Sequence, residues 1–168
     1  EAPGENEDRQ GLPFIGNTGK ELDRLIASIG LSRHDTYITN IVKCRPPNNR
    51  DPEPDELAAC RPYLYAQIGL TMPKIVVTLG RISMGQVFQP GLRISHVHGM
   101  HFFTVCDILG VPMYHPAAML HNPNLRSIIA KDFLRLPSIL ASLESSKHEQ
   151  NNGMANHISH IPSDNAGA

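Results

Sequence analysis

Apolar positions along this chain recur at two alternating spacings. Leu22, Leu25, Ile26 and Ile29 follow one another at i, i+3, i+4 and i+7, the stripe of a core-facing helix, and Gly30 stops it. Thr18 and Glu21 have the spacing of a capping box, which puts the helix start at Thr18. Tyr37, Ile38, Ile41 and Val42 then read as a buried strand halted by Pro46 and Pro47. A second helix is predicted from near Asp55, with Leu57, Cys60, Leu64 and Ile68 on one face and a strain or kink at Pro62. The run from Ile75 to Leu79, ended by Gly80, is a second strand, and a short helix from Arg81 to Phe88 follows. Residues 92–106 read as a ribbon or strand pair that carries His96, His98 and His101. Val111 to Tyr114 makes a short last strand running into His115 and Pro116. A helix from Ser127 to Leu143 closes the pattern, with Ile128, Ile129, Phe133, Leu136 and Leu140 as its apolar side. Strands alternating with helices predict an α/β fold, a short parallel sheet covered by helices on both faces.

The flanks have a different texture. Residues 1–16 hold three glycines and two prolines and read as a loop with one exposed-looking aromatic, Phe14. From Glu144 the chain turns to Ser, Asn, His and Gly, so 1–143 is expected to be the domain and 144–168 a disordered polar tail. The first residue is Glu1, inside that apparent loop, so a natural beginning is expected upstream. The 168 residues, 40% hydrophobic with a net charge of -1, fit one soluble domain and argue against a general polycation that coats nucleic acid. No run approaches the ~20 apolar residues of a membrane span, and no signal-peptide pattern opens the chain. Three unevenly spaced cysteines make no disulfide framework, which points to a reducing cytoplasm.

Chemistry gathers at predicted strand ends. Asn40 and His115 both fall at C-terminal ends of strands, where open α/β sheets bind ligands. An Asn can read a pyrimidine edge, its carbonyl taking N3–H and its amide giving to O4. A neutral His can stabilise negative charge on a departing base, and Phe14 can stack on a ring. Cys44 and Cys60, with fifteen residues between them, have the spacing of two cluster ligands or of two packed thiols; Cys106, in an apolar run, is expected to pack. The three histidines of 96–101 have no acidic partner at zinc spacing, and neither a P-loop nor a GxGxxG occurs.

Taken together, these residues resemble the iron–sulfur (family 4) uracil-DNA glycosylases. Residues 1–8, Glu-Ala-Pro-Gly-Glu-Asn-Glu-Asp, look like that family's first motif without its leading Gly, and residues 11–16 match the segment with the stacking Phe. Residues 37–47 with Asn49, Arg50 and the block 60–64 resemble its middle part. His115-Pro-Ala-Ala-Met-Leu120 with Asn122 and Pro123 resembles its second catalytic motif. The likeness implies a three-layer α/β/α enzyme that flips uracil out of single- or double-stranded DNA and hydrolyses its N-glycosidic bond as a monomer. It implies that Glu1 and Ala2 present backbone groups to uracil O2, Phe14 stacks, Asn40 reads the base edge and His115 stabilises the uracil anion. Ala2 stands where related families place a water-activating Asp, so Glu7 is the nearest candidate base. Met119 and Leu120 are candidates for filling the vacated stack, or for core packing, and Lys43, Arg45 and Arg50 for contacting the DNA backbone. Cys44 and Cys60 are implied as two of four ligands of a structural [4Fe–4S] cluster, the family's first strand and Cys-x-x-Cys lying before its first motif. The family often has Arg where His98 and His121 stand, which implies weaker, pH-dependent phosphate contacts there. The rival readings are a non-catalytic nucleic-acid-binding module of the same fold and an inactive fragment of it.

Overall fold

A computed structural model describes residues 1–89 and 91–158, the side chains as far as residue 145. The chain divides into two units, Glu1–Arg135 and Leu136–Ala168. The first unit carries α1 (Glu5–Gln10), α2 (Asn17–Ser28), α3 (Pro54–Thr71), β1 (Val76–Leu79), α4 (Arg81–Val87), α5 (Ile94–Val97), β2 (Phe102–Phe103), β3 (Leu109–Met113) and α6 (Ala118–His121). It also holds the start of α7 (Leu125–Ile158), which continues as the described part of the second unit. The helix therefore runs past its expected end at Leu143. Of the polar tail expected from residue 144, residues 159–168 lie outside the described residues. Among the described residues no helix is long and apolar enough to cross a membrane.

The architecture is α/β, around a three-stranded sheet in the order β1-β3-β2. β1 and β3 are parallel, Val76 opposite Gly110 and Leu79 opposite Met113. β2 is antiparallel to β3, so the sheet is mixed rather than wholly parallel. All five β3 residues are buried, as befits a central strand. Gly110 is required there, because a Cβ would lie 2.7 Å from the Phe88 ring and 2.8 Å from Thr104 Cγ2. Ile41, Val42, Leu64, Met84, Val87 and Phe88 form a core beside which Ala2, Leu57, Cys60 and Phe102 pack.

Four further expectations are corrected. The segment 36–42 is buried toward its end, with Ile41 at 6% and Val42 at 3% exposure, but it forms no ladder. Its long-range backbone bond is Val42 N–H to the Glu1 carbonyl at 2.9 Å, and one bond does not make a strand. Helix α2 begins at Asn17 with Gly16 as N-cap, so Thr18 sits inside the first turn and caps nothing. The cause is Glu7, whose carboxylate takes the N–H groups of Ile15 and Gly16 and fixes the chain's entry earlier. Residues 92–106 are a helical turn, α5, followed by the two-residue β2, with Gly99 at φ +68° between them. Cys106 is exposed rather than packed, on a turn gathered around buried Thr104, whose Oγ1 accepts from Cys106 and Ile108 N–H.

Candidate active site

Because β1 and β3 run parallel, their C-terminal ends lie side by side, and the chain leaves them at Gly80 and at Tyr114-His115. Gly80 N–H donates to the Met113 carbonyl at 2.8 Å, locking the two exits together. Gly80 has φ +94°, and a Cβ on it would stand 3.3 Å from His115 Cβ, so glycine suits both the turn and the neighbour. Burial lowers the His115 pKa from 6.5 to about 4. The ring is therefore neutral near pH 7. Its Nδ1 accepts the Ala117 N–H at 3.2 Å, which assigns the ring proton to Nε2 and leaves that nitrogen as a donor.

His115 lines a cleft of about 240 Å³ together with Glu1, Ala2, Glu7, Phe14, Asn40 and Arg50. Thr18 and Asn49, which the sequence marked only as a helix cap and as part of a family block, line it as well. The volume is below the roughly 300–1,000 Å³ of drug-sized pockets and suits a single ring system. The Phe14 ring centroid lies 5.6 Å from that of His115, tilted by 31°. Asn40 is buried at 9% exposure, and among the described residues no group is hydrogen-bonded to its side-chain amide. An amide in a cleft without a partner is poised for one on a ligand.

Lys43 reaches back into the protein. Its ammonium donates to the Asn40 carbonyl at 2.6 Å, Thr39 Oγ1 at 2.9 Å and Gln67 Oε1 at 2.6 Å, using all three of its donors. Burial lowers its pKa. The ammonium thus holds the Asn40 carbonyl. Arg50 is likewise engaged, bidentate on Glu56 at 2.8 Å and 2.8 Å. That bond first, then the Glu53 N–H, brings the Glu56 pKa to about 2. Arg45 donates to Asn49 Oδ1 at 2.8 Å. Met119 is 3% exposed and belongs to the core, whereas Leu120 is 51% exposed. Of the two candidate wedges, Leu120 is the one open to solvent.

Glu7 lines the cleft and is bound to backbone amides. Burial opposes its ionisation, but N–H bonds from Gly16, its own amide, Ile15 and Gly4 outweigh burial and hold its pKa below the ordinary value. Its Oε1 accepts from Ile15 at 3.0 Å and Gly16 at 2.9 Å. It is a brace on the loop that presents Phe14.

Cys44 is exposed and Cys60 half-buried, and Cys60 Sγ accepts the Lys43 N–H at 3.3 Å. An amide donating to a cysteine sulfur is the kind of contact that thiolate ligands of a cluster receive. Among the described residues no group of three metal-ligating side chains comes together. His98, away from this cleft, bonds buried Asp132 at 2.7 Å through Nδ1 and stacks on Tyr114 at 4.9 Å. His121 is exposed on α6.

A family model, the Uracil DNA glycosylase superfamily, matches residues 1–135. The chain belongs to the uracil DNA glycosylase superfamily. Among its relatives, the type-4 uracil-DNA glycosylase of Sulfurisphaera tokodaii is 51% identical over 144 residues, covering 81% of this chain and 66% of the relative. That of Saccharolobus solfataricus is 49% identical, covering 84% and 69%, and that of Archaeoglobus fulgidus 40% identical, covering 81% and 72%. This superfamily member thus spans about two thirds of the length of those curated relatives. Its cleft residues all fall within the matched segment.

Proposed function

We propose that the chain is a uracil-DNA glycosylase that acts as a monomer on uracil extruded from single- or double-stranded DNA. The observation that carries this reading is the neutral His115. Its Nδ1 is committed to Ala117, its Nε2–H is left to give, and it faces the cleft with Phe14 and Asn40.

The reaction breaks the bond between deoxyribose C1′ and uracil N1, and the electron pair leaves with the base. The sugar gains oxocarbenium character and the base an anion delocalised onto O2 and O4. His115 Nε2–H donates to O2 as that charge develops; it does not become an imidazolium, because burial disfavours the cation. One such preorganised donor is worth ~3–4 kcal/mol of barrier. Asn40 pairs with N3–H and O4, a pattern that cytosine cannot match at both atoms. Phe14 stacks on the ring, and extrusion of the nucleotide costs a few kcal/mol beforehand. Water then adds to C1′ and loses a proton to solvent, giving free uracil and an abasic site. Glu7, ionised and bonded to backbone amides, is a weak base, so its contribution is to hold the Phe14 loop. Leu120 fills the space the base leaves, and Arg45, beside the cleft residue Asn49, is the remaining candidate for a phosphate.

Cys44 and Cys60 would supply two of the four thiolates of a structural [4Fe–4S] cluster. Such a cluster would tie the 44 loop to α3 and takes no part in bond cleavage. Iron and sulfide analysis of a chain extended upstream, with Cys44→Ser beside it, tests that assignment.

Activity is tested with oligonucleotides carrying one uracil, cytosine or thymine at the same position, followed by alkaline cleavage of abasic sites. Cleavage at uracil alone is the expected result. Binding without cleavage by a folded chain would favour a nucleic-acid-binding module instead.

A further inference from the structure

Phe14 stands in a backbone conformation that it would not hold unaided. Its φ is +53°, in the left-handed region, where a residue with a Cβ is disfavoured by roughly 1–2 kcal/mol. Such a residue persists where its surroundings over-determine it, and three contacts do so here. Gly19 passes so close that a Cβ on it would lie 1.7 Å from the Phe14 carbonyl oxygen. Glu7 holds the two amides that follow Phe14, those of Ile15 and Gly16. Arg33, nineteen residues on in sequence, donates through one terminal nitrogen to the Pro13 carbonyl at 2.9 Å and through the other to the Phe14 carbonyl at 2.5 Å. The third side of the guanidinium is held by Asp23 of α2, with Nε to Oδ1 at 3.0 Å.

We propose that Arg33 is the positioning residue of Phe14: its guanidinium, oriented by Asp23, grips the Pro13 and Phe14 carbonyls and fixes the aromatic ring over the cleft. The proposal rests on the reading that the cleft takes an extruded base. Its chemistry requires an arginine. A planar fork can serve two carbonyls and a carboxylate at once, whereas an ammonium offers no fixed directions. Arg33 is about one-third exposed and its carboxylate partner 46% exposed, so the ion pair itself contributes little to folding. The consequence of losing the grip falls on where the ring points. Misplacing a positioning contact by about an ångström costs on the order of a hundredfold in rate. Arg33 also completes a division of labour with Glu7, the cation holding carbonyls before the turn and the anion holding amides after it.

The chain contains no tryptophan, so Phe14→Trp puts a single indole at the ring position. In that background, Arg33→Gln is expected to lower the steady-state anisotropy of the indole and to weaken its quenching by a uracil-containing oligonucleotide. In uracil-release assays at saturating oligonucleotide, Arg33→Gln lowers kcat roughly ten- to a hundredfold in the parent. In a Phe14→Ala background it costs less than about twofold, because the contact it serves is already gone. Arg33→Lys recovers little. Should Arg33→Gln show no thermal transition, Asp23→Asn loosens the same guanidinium without removing it and is expected to act in the same direction. Equal losses with and without the Phe14 ring, or unchanged anisotropy, would overturn the proposal. If the parent chain releases no uracil the glycosylase reading fails first, and the anisotropy comparison alone then decides whether Arg33 positions Phe14.

Discussion

His115 and Phe14 face the same cleft but are held there by different means. His115 follows directly from a buried central strand, its exit fixed by the Gly80–Met113 backbone bond and its ring by the Ala117 amide. Phe14 lies on a loop with no ladder on either side, and its backbone is held by the charged side chains of Glu7 and Arg33. Asn40 belongs with Phe14: its segment makes no ladder, and Lys43 grips its carbonyl. In the proposed reaction the group that would meet developing charge is set by the sheet, and the groups that would recognise the base are set by side-chain clamps. Electrostatic stabilisation needs a donor that does not reorganise during reaction. A hydrogen-bonded strand end in a buried sheet supplies that rigidity, whereas recognition tolerates a loop provided something fixes it.

The largest expected effect attacks the rigid side. His115→Ala should lower single-turnover uracil release by about 10²–10³-fold, the usual cost of one preorganised donor, with little change in DNA affinity. Next comes the clamped side. Gly19→Ala drives a Cβ into the Phe14 carbonyl, where only backbone can give way, and should destabilise the chain by roughly 1–3 kcal/mol in urea titration. Lys43→Met removes the charged donor from the Asn40 carbonyl. A hydrogen bond to a charged group contributes about 1.5–3 kcal/mol, so release should fall by roughly tenfold or more. Lys43→Arg should not restore it, since three oxygens arranged about an ammonium do not fit a planar fork. If Lys43→Met spares uracil release while weakening DNA binding, its charge serves the DNA after all.

The smallest effect is on stability against pH. His115 has a folded pKa of about 4 against 6.5 for the free side chain, so between those values the unfolded chain binds the extra proton. The stability this group contributes is complete above pH 6.5 and is lost as pH falls toward 4. Glu7 acts in the same direction: its lowered pKa gives stability present above its ordinary value of 4.5 and lost as pH falls through the folded value. Thermal melts should therefore show Tm falling from pH 6.5 to 4, with a shallower slope in His115→Ala.

The two sides differed in how far the sequence revealed them. The apolar run ending at Leu79 and the His-Pro after the last strand located the sheet edge, because burial and strand termination are local patterns. The α2 stripe was equally legible, while its start was not, since Glu7 rather than Thr18 sets it from ten residues upstream. The 36–42 segment shows the limit clearly. Its hydrophobicity foretold that Ile41 and Val42 are buried, but whether a buried extended run pairs depends on which backbone lies beside it. Lys43, beside a cysteine in a basic stretch, reads as a surface charge until Gln67 and Thr39 are seen to enclose it. Arg33 left no trace at all, its partners being ten, nineteen and twenty residues away.

The measurement that bears most directly on this account is single-turnover uracil release from a single-stranded oligonucleotide between pH 4 and 8. It should be run on the parent chain and on His115→Ala. A neutral His115 donor predicts a parent rate level from pH 8 to about 5 that declines toward pH 4, where the ring takes a proton. It predicts no such decline in the much slower variant. A parent profile with its midpoint near 6.5, or no release by the folded chain, would contradict it.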